Sequence, residues 1–95
     1  MYHISRTKDF EKSYRKIKES GTLQKQAKDN LEMAIDLLAE GKSLPAKFKD
    51  HKLKGELGAY RECHIKGDLL LVYQIRKREL LLVLIDIGNH SYLGI

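Results

Sequence analysis

Tryptophan is absent from this chain, and cysteine and proline occur once each. With Cys63 alone, no intramolecular disulfide can form, so a reducing, cytosolic compartment is the default expectation. A single proline, Pro45, leaves most of the chain free to form regular elements. A long hydrophobic run is missing as well. A membrane span needs roughly 20 apolar residues, and the longest uninterrupted stretch, Leu80–Ile85, is of strand length. The opening MYHISRTKDF holds no apolar core that could act as a signal peptide. There is no internal repeat and no low-complexity tract. The expectation is a soluble intracellular protein of one domain spanning residues 1–95.

Charge is plentiful. A third of the 95 residues are charged, the formal net charge is +5 and the isoelectric point lies near 9.4. Such a surface favours polyanions or an acidic protein partner, because summed charge steers association. It equally serves solubility alone. The 42% apolar share excludes a disordered chain.

Tyr2–Ser5 alternates weakly and reads as a short strand. Thr7 can cap a helix with Asp9 and Glu11 in its first turn, and Phe10, Tyr14 and Ile17 then form one apolar stripe. Gly21 stops it. Thr22 is read as the cap of a second helix carrying Leu23, Ala27, Leu31, Ala34, Ile35 and Leu38, ended by Gly41. Lys42–Gly55 reads as a basic loop anchored by Leu44 and Phe48. Beyond it the period changes to 2. Ala59–Ile65, Leu69–Ile75 and Leu80–Ile87 read as three strands joined by tight turns at Gly67-Asp68 and Lys77-Arg78, hence antiparallel neighbours. The last two are apolar at nearly every position and should be central. Gly88-Asn89 breaks the final strand, and His90–Ile95 is left as a tail. The class is α+β: a strand and a helical hairpin packed on one face of an antiparallel sheet. The other face is left as the working surface.

Three of the four histidines fall in the second half. The strand directions place the His64–Asp68 turn at the same edge as His90, and the basic loop can bring His51 nearby. Such a set suits RNA cleavage by transesterification. The 2′-OH must lose a proton, the phosphate needs positive charge, and the 5′-oxygen must gain a proton. Histidine serves as base or acid near neutrality, and each role is worth about 10²–10⁴-fold. Lys49, Lys52, Lys54 and Arg61 can neutralise phosphate. Arg61 lies three residues from His64, so in an unbulged strand the two face opposite ways. Taken singly, each histidine also fits a packed or surface residue, Asp68 a turn residue, and the lysines a solvated loop. His51, Cys63, His64 and His90 are zinc ligands by type, but their spacing matches no usual finger or ribbon, and Cys63 and His64 must point to opposite faces.

Several features in order resemble one family: Leu44-Pro45, Lys49-Asp50-His51, Leu53-Lys54-Gly55, Tyr60-Arg61 with His64, Asp68-Leu69-Leu70-Leu71-Val72-Tyr73, and Gly88 followed by His90. Together they look like the YafQ branch of the RelE toxin superfamily, over nearly the whole chain. The resemblance implies a microbial-RNase-like fold and cleavage of mRNA in the ribosomal A site. It also implies neutralisation by an acidic antitoxin, no cofactor and no metal. The family's catalytic positions carry over to His51, His64, Asp68 and His90. Three positions depart from the pattern. Gly94 stands where relatives often have an aromatic residue, with Tyr92 as the nearby substitute for stacking on RNA. Asp86 stands near a position that is often basic, and Leu69 where an aromatic is frequent. A second reading keeps the fold without the catalysis: a ParE-like gyrase poison, or a decayed toxin retained as an antitoxin-bound corepressor. ParE-type relatives would not assemble this His and Asp set.

Overall fold

The computed structural model describes residues 1–95. Strand β1 (His3–Arg6) leads into helix α1 (Lys8–Glu19) and helix α2 (Lys25–Ala39). A two-residue strand β2 (His51–Lys52) then precedes β3 (Arg61–Lys66), β4 (Leu69–Arg76), β5 (Leu81–Gly88) and a one-turn helix α3 (His90–Leu93). The five strands form one sheet in the order β1-β5-β4-β3-β2, with β4 at its centre and β5 beside it.

Thr7 caps α1 as its position predicts, its side chain accepting from the Phe10 amide at 2.9 Å. Its hydroxyl donates in turn to the Ile85 carbonyl at 2.6 Å, tying the helix start to β5. Thr22 does not cap α2. Its hydroxyl is bonded to Ser20 at 2.8 Å in the turn after α1, and the helix starts three residues later from Gln24, with no side-chain cap. The intervening Leu23 hangs from the Ile17 carbonyl and packs against the core.

The sheet is mixed, not wholly antiparallel. β2, β3, β4 and β5 alternate in direction, but β1 lies parallel to β5, with His3 opposite Leu81. The reason is the route between them: two helices and a loop carry the chain from β1 at one edge to β2 at the other, and β3, β4 and β5 then step back across the sheet until β5 lies beside β1. The predicted basic loop also contains more structure than its composition indicates. Ala46–Phe48 and Gly55–Leu57 form single 3₁₀ turns, and β2 pairs with β3 through His51 opposite Glu62. The tail is a turn of helix because Asn89 caps it, accepting from the Tyr92 amide at 2.7 Å, and Gly94 closes it at φ 73°.

α1 lies over β5 and α2 over β3. Phe10, Leu31, Ala34 and Leu38 from the helices meet Cys63, Ile65, Leu71, Tyr73, Leu82 and Leu84 from the sheet in one core. Phe48 is wholly buried there and anchors the basic loop. Leu70 and Val72 are buried but stand outside that cluster, on the opposite face of β4. That opposite face carries the histidines.

Candidate active site

Cross-strand pairing sets two rows on the face away from the helices. His51 stands opposite Glu62, Glu62 opposite Val72, and Val72 opposite Asp86. In the next row His64 stands opposite Leu70, and Leu70 opposite Gly88, two residues before His90. Partners in a row share a face because cross-strand pairs point the same way. The ring centres of His51 and His64 are 6.3 Å apart, and those of His64 and His90 6.1 Å apart. The tight turn at Gly67, φ 55°, swings Asp68 under His90, whose Nδ1 lies 2.5 Å from Asp68 Oδ1.

The tautomers follow from the partners. A carboxylate and a carbonyl can only accept, so Nδ1 of His90 donates to Asp68, and Nδ1 of His51 donates to the Lys49 carbonyl at 2.8 Å. In both rings Nε2 is left as the nitrogen that exchanges a proton. Both imidazoles are about half exposed, as a group that meets a polymer substrate must be. The four residues His51, His64, Asp68 and His90 therefore form one cluster.

A carboxylate that sequence reasoning missed sits between two of its histidines. Glu62 is only 3% exposed, with Oε1 3.6 Å from His51 Nε2 and 3.8 Å from His64 Nε2. Its signal was present: Glu62 and His64 alternate on one strand and must share a face. Asp50, next to His51, was missed as well. It accepts from the Tyr73 hydroxyl in a short hydrogen bond and from Arg61 Nη2 at 3.2 Å, while Arg61 Nε donates to the Tyr73 oxygen at 3.3 Å. This triad pins the loop bearing His51 to the sheet. Burial, then the bond to Asp50, raises the Tyr73 phenol well above its ordinary value. The Arg61 guanidinium is raised too, chiefly by its bond to Tyr73 and then by Asp50, against the opposing effect of burial.

The remaining predicted contacts divide. Lys49, at φ 46° in the left-handed region, along with Lys52 and Lys54, lies on the basic segment around His51. Arg61 pairs with Tyr73 on the core side of β3, away from His64. Tyr92 turns toward α1, its hydroxyl 2.7 Å from Ser13 Oγ and its ring under the Lys16 ammonium. Asp86 accepts from the Ile87 amide. Cys63 is fully buried on the core face, where desolvation pushes its thiol up to about 12.

A family model described as "Bacterial toxin of type II toxin-antitoxin system, YafQ" matches residues 2–94. The chain belongs to the YafQ toxin family. It is 34% identical over 89 residues to the mRNA interferase toxin YafQ of Escherichia coli, an alignment that covers 90% of this chain and 95% of that one. A YafQ-like architecture recurs in a metal-bound toxin from Helicobacter pylori, 42% identical, with a TM-score of 0.86 over 98% of this chain and 99% of the other. The E. coli DinJ–YafQ toxin–antitoxin complex is similar as well, at 26% identity and a TM-score of 0.81 over 97% and 96% of the two chains. In this YafQ-family chain no three His, Cys, Asp or Glu side chains converge as ligands on one point.

Proposed function

We propose that this YafQ-family toxin is an endoribonuclease that cleaves mRNA in the ribosomal A site and so arrests translation. The observation that carries this reading is the Asp68–His90 pair aligned with His64 and His51 on one open sheet face. The name of the E. coli relative, an mRNA interferase toxin, supports it. In the reaction the substrate 2′-oxygen attacks the adjacent phosphorus, giving a 2′,3′-cyclic phosphate as the bond to the 5′-oxygen breaks. One histidine Nε2 takes the 2′-OH proton and another protonates the departing 5′-oxygen. Asp68 holds the His90 ring and stabilises its charged form, as Glu62 does between His51 and His64. Lys49 and Lys54 bring positive charge to the phosphates, whereas Lys52, paired with Arg61, faces the other side of the sheet. The chemistry requires no cofactor. The ribosome supplies the correctly held mRNA, and an acidic antitoxin segment complements the net charge of +5 in the inactive complex.

Primer extension on a defined mRNA in a reconstituted bacterial translation system tests this. Wild type cuts within A-site codons, and His90→Ala lowers the cut by about 10²–10⁴-fold while remaining folded. Absence of cleavage by folded wild type, or undiminished cleavage by His90→Ala, contradicts the proposal.

A further inference from the structure

A cavity of about 460 Å³ opens between α1, the start of α2 and the β3–β4 turn, with Asp68 on its lining. Its size falls within the range of small-molecule sites, about 300–1,000 Å³. Ile17, Ala27, Leu69 and Ile87 supply apolar walls, and the ring of Tyr92 closes one side. The ring can lie there because residue 88 is glycine: a Cβ at that position would come within 2.6 Å of Tyr92 Cδ2. Its orientation is fixed at both ends, by the Asn89 cap and by the bond to the buried Ser13 hydroxyl.

The charged groups on the lining are Lys16, Lys66 and Asp68. Lys66 is bonded to the neutral Gln26 amide oxygen at 2.8 Å, and Lys16 rests on the Tyr92 ring, so no carboxylate neutralises either cation. Asp68 uses Oδ1 on His90, which leaves Oδ2 to accept from an amino or hydroxyl group. Apolar walls, a fixed aromatic ring, one acceptor and two cations are what a nucleoside and its phosphate require. We propose that this cavity is a subsite for a nucleoside flanking the scissile phosphate, with Lys16 and Lys66 on its phosphate and Asp68 shared between subsite and catalytic cluster. The proposal deepens the ribonuclease reading and rests on it for the identity of the polymer. An acidic peptide is the less suitable occupant, because Asp68 on the wall repels it.

The test is an NMR titration of the free protein with adenosine 3′-monophosphate, with inorganic phosphate and an acidic peptide as parallel arms. The nucleotide is expected to shift amides around Ser20, Thr22, Ala27 and Leu69 saturably, with a Kd of ~1 mM. Thr22→Trp, which puts a bulky ring at the exposed rim, abolishes those shifts, and Lys66→Glu weakens them about tenfold through lost phosphate attraction. Unchanged spectra elsewhere show that both variants are folded. Shifts confined to the histidine cluster overturn the subsite, as do equal shifts with phosphate alone or a response only to the peptide. Because binding is read without the ribosome, an inactive toxin whose cavity still takes nucleotide contradicts the cleavage mechanism and not the subsite.

Discussion

Removing one oxygen atom, in Tyr73→Phe, tests how the basic loop is held against the sheet. Tyr73 is fully buried, and its hydroxyl is the hydrogen-bond donor closest to the Asp50 carboxylate. Phenylalanine keeps the ring packing and deletes only that bond and the contact to Arg61. A hydrogen bond to a charged acceptor is worth about 1.5–3 kcal/mol. The Asp50 side chain is 21% exposed and keeps its bond to Arg61, so water recovers part of the loss. We therefore expect destabilisation of about 2 kcal/mol, which for a domain of this size lowers Tm by roughly 10 °C. Thermal unfolding followed by circular dichroism measures it. A double-mutant cycle with Asp50→Asn should return a coupling of about 1–2 kcal/mol, because the two residues share one bond. The pH dependence carries a sign. A phenol raised in the folded state contributes stability that is complete below its ordinary value and is lost as pH rises through the folded one. Wild type should thus weaken above about pH 10 more steeply than Tyr73→Phe. A change in Tm of under about 2 °C, or additive effects in the cycle, would show that the loop is anchored by Phe48 alone.

Glu62→Gln keeps the shape of the side chain and removes a buried charge, so stability should hold or rise. Cleavage should fall roughly tenfold in kcat, since two weak contacts to part-exposed imidazoles amount to about 1.4 kcal/mol; unchanged kcat would relieve Glu62 of any part in positioning the histidines. Cys63 should resist alkylation in the native protein at pH 8, because burial holds its thiol up to about 12. Its raised value also predicts stability lost as pH climbs from its ordinary 9.0 toward 12, and labelling at the rate of a free thiol would contradict the packing of β3 against α2.

Much of the sheet was legible because its residues alternate or run apolar. Leu69–Ile75 and Leu80–Ile87 could be read as inner strands, and the Gly67-Asp68 turn followed from its residues. Placing Asp68 beside His90 needed only the strand directions. The parallel pairing of β1 was not legible, since a four-residue strand carries no mark of its partner. Thr22 looked like a cap because type and position agreed, but Ser20 competes for its hydroxyl. The tail hid its helix because Asn89 and Gly94 act as caps only over a four-residue span. Asp50 and Glu62 were overlooked for the opposite reason. Carboxylates in a basic, charged sequence read as solvated, and only tertiary pairing shows one bonded to Tyr73 and Arg61 and the other buried between two histidines. Arg61 was placed with the phosphate-binding groups by charge, whereas the strand alternation that sets it opposite His64 puts it with Tyr73.

If histidines and carboxylates cleave RNA through its own 2′-hydroxyl, the chemistry of the new ends records it directly. By mass spectrometry, mRNA cut in the reconstituted system should carry a 2′,3′-cyclic phosphate on the upstream fragment and a 5′-hydroxyl on the downstream one. The same ends should appear from an mRNA with a single 2′-deoxy substitution only at sites away from that position. Cleavage at the deoxy position, or ends bearing a 3′-hydroxyl and a 5′-phosphate, would contradict the mechanism.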